Sequence, residues 1–175
     1  MAVIGWGKPR IFIKDLDADS PKWEELPTPV QDSTTLETTK GDKQEAKIEG
    51  GENEDVKYSK NTYLLNLSIR AAKGRKRPIS DEDGVVAHNY AVVLQPEDPM
   101  VQGFAIEKSA ASVEDTFSTT EGGVWAYGFD ALKPAKGKQV KWGVVKVTES
   151  NGNISKIELD PEGEEEVFEV AAETV

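Results

Sequence analysis

The stretch TYLLNLSIR, Thr62–Arg70, decides the fold class. With side chains alternating, Tyr63, Leu65, Leu67 and Ile69 share one face, while Thr62, Asn66, Ser68 and Arg70 lie largely on the other. A period of two is the signature of a strand with one face on a core and the other toward water. The segments around it are rich in Val, Ile, Thr, Tyr, Phe and Trp, and sustained Leu/Ala/Glu/Lys helical patterns are scarce.

Upstream, TTLETTKGDKQEAKIEGG reads as two strands around the turn KGDK, Lys40–Lys43, the second alternating Ala46 and Ile48 with charges. It leads into EAKIEGGENEDVKY, Glu45–Tyr58, which crowds five carboxylates and a Gly-Gly pair into fourteen residues. Nearer the start, RIFIK (Arg10–Lys14) reads as a short strand. The Pro- and Asp-rich run after it reads as a long loop, with one helical turn expected at SPKWEEL, where Ser20 caps and Pro21 takes the first helical position.

Downstream, AAKGRKRPISDEDG holds the basic cluster Lys73, Arg75, Lys76 and Arg77, followed at once by an acidic turn. VVAHNYAVVLQPEDP fits a buried strand or a short helix, and periodicity does not choose between them. VQGFAIEKSA, ASVEDTFSTT, GGVWAYGFDAL and KQVKWGVVKVT then read as strand after strand. In VWAYGFD, Trp125, Tyr127 and Phe129 alternate with Ala126 and Gly128, a shape suited to close packing against another sheet. SNGN predicts a tight turn into ISKIEL, because Asn-Gly accepts positive backbone angles. From about residue 160 the chain becomes an acidic tail, with one last strand expected at EVFEV. DSTTLETTKG from Asp32 and DTFSTTEGG from Asp115 echo each other and point to similar hairpins in two halves of the molecule. The fold expected is a single mainly β domain over residues 1–175: an antiparallel β-sandwich or small barrel with one short helix and long loops.

Composition narrows the function. The chain carries 21 Lys plus Arg against 32 Asp plus Glu, a formal charge of -11. Such a surface repels polyphosphates, which disfavours ordinary nucleic-acid binding. With no cysteine there is no disulfide, thiolate metal site or cysteine nucleophile. The start, MAVIGWGKPRIFIK, lacks a basic leader, and no run approaches the roughly 20 apolar residues of a membrane span. A soluble, unprocessed protein made in the cytoplasm, without membrane partners, is expected.

Chemistry is weakly encoded. EGGENEDVKY places its glycines ahead of most of its acids and lacks the downstream glutamate of a helix-loop-helix calcium site, so an acidic connector is the better reading. His88, the single histidine, has no imidazole partner for zinc, and no GxSxG elbow supports a nucleophilic serine. Glu54 with Asp55, or the run Asp81, Glu82 and Asp83, resembles a glycosidase carboxylate pair, but 32 acids produce such neighbours by chance. The glycines sit in isolated turns and form no phosphate cradle. Among Trp6, Trp23, Trp125 and Trp142, Trp23 is expected to be the most exposed, and an exposed tryptophan could stack a sugar. Neither an enzyme nor a cofactor is indicated.

The order of features from Gly5 to Val147 carries a resemblance. A short N-terminal strand is followed by a Pro-rich loop into TPVQDSTTLETTKGDKQEAKIEGGENEDVKYSKNTYLLNLSIR, a polar middle, and GGVWAYGFDALKPAKGKQVKWG. This pattern resembles the tail tube, or major tail, proteins of phages and prophages. The resemblance implies a non-enzymatic structural subunit of the virion tail, made in the bacterial cytoplasm. Its partners would be other copies of itself, in hexameric rings stacked as a tube, and other tail proteins; DNA would be passing cargo. An acid-lined bore would let DNA slide rather than bind. The segment Ile48, Glu49, Gly50, Gly51, Glu52, Asn53, Glu54 and Asp55 then becomes an expected assembly loop at the tip or flank of a long hairpin. The alternative from the residues alone is a β-sandwich module binding carbohydrate or calcium through that loop and an exposed tryptophan.

Overall fold

The computed structural model describes residues 4–160 and 168–170, the last three for their backbone. Twelve strands and no helix are found among them: β1 (Arg10–Asp15), β2 (Trp23–Glu25), β3 (Thr35–Thr39), β4 (Lys43–Lys47), β5 (Asn53–Tyr58), β6 (Thr62–Arg70), β7 (Val85–Gln95), β8 (Gly103–Ser118), β9 (Gly122–Ala131), β10 (Val140–Ser150), β11 (Asn153–Asp160) and β12 (Phe168–Val170). All pairings are antiparallel. The mainly β expectation holds. The acidic tail expected from about residue 160 lies outside the described residues apart from β12, which pairs with β11 where EVFEV was expected to end in a strand.

The expected helical turn at SPKWEEL is corrected. Trp23–Glu25 is a strand pairing with Phe12–Lys14 of β1, and Trp23 is 5% exposed. Ser20 and Pro21 offered a helix start, but burying the indole decided the conformation: the apolar area of a Trp outweighs a single cap. Trp23 is therefore core, where the sequence had placed the most exposed tryptophan. Trp6 and Trp142 are the exposed ones, at 78% and 53%.

β1 and β7 form a layer covered on both faces. Ile11, Ile13, Tyr90 and Val92 face Leu65, Leu67 and Ile69 of β6 and Tyr127 and Phe129 of β9 in one core. Phe12, Ala91 and Val93 face Val145, Ile157 and Leu159 of β10 and β11, with Trp23, in a second. The second core has a barrel-like wall: the sheet runs β2-β1-β7-β8-β10-β11, and β11 curls until its Cα atoms come within 8 Å of β2. Arg10 adds a clasp between these limbs, donating to Glu25 and to Glu149 at 2.9 Å each. Burial on both faces from Tyr90 to Val93 explains why the second half of VVAHNYAVVLQ shows no alternation.

β8 joins the two cores. Its first residues pair with β10, and Ser109–Ser118 pair with β9. VQGFAIEKSA and ASVEDTFSTT, expected as successive strands, are this one strand. Between them, Glu107 and Lys108 together oppose Ala91 of β7, a bulge that switches which residues face the first core, from Phe104 and Ile106 to Ala111 and Val113. The Ser109 hydroxyl, fully buried beside the bulge, donates to the Tyr90 carbonyl at 2.7 Å. A parity switch reads in sequence as a break, and here it is a bend.

The Asn151-Gly152 turn forms as expected, with φ of 52° and 78°. The two echoing segments do not occupy equivalent places: Asp32–Gly41 contains β3, the first strand of its hairpin, whereas Asp115–Gly123 is the tip of the β8–β9 hairpin.

Candidate functional site

β3 and β4 do not pair around KGDK. β3 pairs with β6 and β4 with β5, and the two ladders share one register: Thr39 faces Thr62, and Lys43 faces Tyr58 farther along the same two limbs. Thr35–Arg70 is thus one long hairpin whose ladder opens briefly at residues 40–42 and 59–61. Gly41 keeps the two limbs close across this gap. A side chain there would run into the carbonyl oxygens of Ser59 and Lys60, so the strands approach at a point where only glycine fits. The Gly41 N–H donates to Asn61 Oδ1 at 3.1 Å, and the Ser59 N–H to the Asp42 carbonyl at 2.9 Å.

Beyond this point β4 and β5 form a two-stranded arm about 13 Å long, from the four steps of about 3.3 Å between the five residues of β4. From Asp42 to Lys60 every residue is exposed except the half-buried Val56. Ile48 is 46% exposed and Tyr58 51%, with Lys40 Nζ 4.8 Å above the Tyr58 ring. Lys43 pairs with Glu45, its ammonium holding the Glu45 carboxyl below the usual range, and Lys47 lies 3.7 Å from the same carboxylate. At the tip, Gly50 and Gly51 take φ of 97° and 86°, and the Gly51 N–H donates to the Ile48 carbonyl. The expected assembly segment, Ile48 to Asp55, is this tip and the start of β5, where Glu54 forms a bulge.

The opposite end of β6 has a different character. After Arg70 the chain enters the basic loop, and the β8–β9 hairpin extends past the same end, since Arg70 pairs with Val124 while Ser118 pairs with Gly122. Arg77 anchors the loop: it pairs with Asp81, donates to Asp115 at 2.8 Å and lies 5.3 Å from the centre of the Trp125 ring. The Asp81 side chain is 4% exposed, and its carboxyl is held low by the Gly84 N–H and then by Arg77. Ile79, 1% exposed, plugs the first core below. Arg77 is therefore structural, whereas Lys73, Arg75 and Lys76 face solvent. Beside them Phe117 is 78% exposed, opposite Gly123, which gives its ring no cross-strand partner.

The remaining candidates resolve into scaffold. His88 Nδ1 meets Asp15 Oδ2 at 2.8 Å on the surface of β7, and this contact with β1 raises the imidazole above its ordinary value. Asp81 is spent on Arg77 and Gly84, leaving the run Asp81, Glu82 and Asp83 as a turn. Among the described residues no three His, Asp or Glu side chains gather where they could hold a metal ion. Trp6 borders an open groove of about 620 Å³, shared with Pro9, Pro29, Val30 and Leu94. Comparison with protein-family models and with curated proteins finds no match to the chain.

Sequence reasoning located the arm tip and missed Phe117, whose stretch DTFST carries no periodic signal. It also missed that the acidic tip and the basic loop leave β6 at opposite ends, because that follows from long-range register.

Proposed function

We propose that this chain is a non-enzymatic structural subunit that assembles with copies of itself into rings or tubes, of the kind built in phage and prophage tails. The observation that carries the reading is the arm: a two-stranded hairpin with no core of its own, projecting from a body that is well packed. Isolated hairpins are marginal in water, so an arm of this form gains its stability from contacts outside the subunit. The edges add to it. β3 pairs on one side only, and its register with β6 is continuous, without the bulge, proline or lysine that commonly blocks strand addition. The open ladder edges of β3, β4 and β5 are surfaces to which another chain can add.

The test is mass by light scattering across a concentration series, with negative-stain imaging of the densest sample. Rings or tubes are the expected result. A monomer at every concentration, with no particles in the images, overturns the reading. A second reading, a carbohydrate-binding module, draws on Trp6 exposed at the rim of the groove. A saturable change in tryptophan fluorescence with oligosaccharide, abolished by Trp6→Ala, would favour it.

A further inference from the structure

We infer that the copies stack head to tail, the acidic arm tip of one copy docking on the basic loop of the next. This rests on the self-assembly proposed above and names the two surfaces that meet. Three observations carry it. The first is polarity: the arm prolongs the hairpin past Thr62, while the basic loop and the β8–β9 tip lie past Arg70, so the two features leave opposite ends of a strand roughly 26 Å long. An arm exposed on both faces does not lie back along its own body, so the matching surface belongs to another copy.

The second is charge. Between Lys47 and Lys57 the arm has four carboxylates, Glu49 and Glu52 foremost at the turn, and no basic residue. Between Arg70 and Ser80 the loop has basic residues and no acid, in a chain whose net charge is -11. Arg77 is already taken by Asp81 and Asp115, which leaves Lys73 and Lys76 outward together with Arg75, exposed although its guanidinium donates to the Arg70 carbonyl at 2.6 Å. Glu82, Asp83 and Glu121 on flanking turns of the same end confine the favourable contact to the loop itself. The third is apolar: Ile48 is exposed near the arm tip and Phe117 beside the loop. The donor and acceptor surfaces differ, so the contact is heterologous and propagates rather than closing as a pair.

Two variants test this without touching the core. Glu49→Lys with Glu52→Lys puts two lysines at the turn and cancels the negative charge of the arm, and Lys73→Glu with Lys76→Glu puts two glutamates in the loop and cancels its positive charge. Each alone should need at least about tenfold more protein to assemble than the parent chain, and an equimolar mixture should recover to within about threefold, since each then offers the end the other lacks. Unchanged thermal melting of both variants controls for folding. If both assemble alone like the parent chain, or the mixture does not recover, the docking is overturned while self-assembly stands. A parent chain that never assembles overturns the proposed function instead.

Discussion

The two halves of the hairpin Thr35–Arg70 share a register and almost nothing else. In the proximal half, Leu65, Leu67 and Ile69 are at most 1% exposed, buried against β1, β7 and β9. In the distal half both faces meet water, and its strands carry lysines, glutamates and a bulge. Ladder hydrogen bonds are common to both, so the difference lies in apolar burial, which drives folding more strongly than the net gain from those bonds. The body is specified from within, whereas the arm has no core of its own to specify it.

Core truncation gives the largest contrast. Leu67→Ala should cost about 2–5 kcal/mol in chemical denaturation, while Ile48→Ala should stay within about 0.5 kcal/mol of the parent chain. Equal costs would break the comparison by showing that the arm is packed after all. Gly41→Ala comes next. The added methyl group meets the Ser59 and Lys60 carbonyls, so the base of the arm must open, and assembly should weaken by about tenfold. The melting of the body should shift by no more than about 1 kcal/mol, because the opening falls outside both cores. Normal assembly of Gly41→Ala would show that the arm needs no fixed exit.

The smallest effect belongs to a surface tie on the body. Asp15 raises the folded-state pKa of His88. The stabilisation is thus fully present below the unfolded value, near 6.5, and disappears as pH rises through the raised folded value. The Tm difference between the parent chain and His88→Gln should be about 1 °C or less at pH 5.5 and vanish by pH 9. A difference that grows with pH would contradict the assigned pair.

The sequence was legible where local pattern and global packing agree. TYLLNLSIR is a half-buried strand by its alternation, and Asn151-Gly152 is a turn by its backbone preference; both are found. The arm tip was legible as an acidic Gly-Gly connector. Reading failed where long-range packing outweighed a local signal. Ser20 and Pro21 announce a helix that burial of Trp23 cancels, and KGDK announces a turn that a continuous ladder passes through with a gap. The bulge at Glu107–Lys108 hid a sixteen-residue strand by switching its parity. The opposition of the two charged ends depends on which strands pair, and pairing partners far apart in sequence leave no local mark.

Amide hydrogen exchange on dilute and assembled protein, read separately for Lys43–Tyr58 and Thr62–Arg70, tests most directly whether the arm is completed by other copies. The β6 amides should be protected in both samples. The arm amides should exchange freely in the dilute sample and become protected on assembly. An arm as protected as β6 in the dilute sample, or still unprotected once assembled, would contradict the assignment of the arm to the interface.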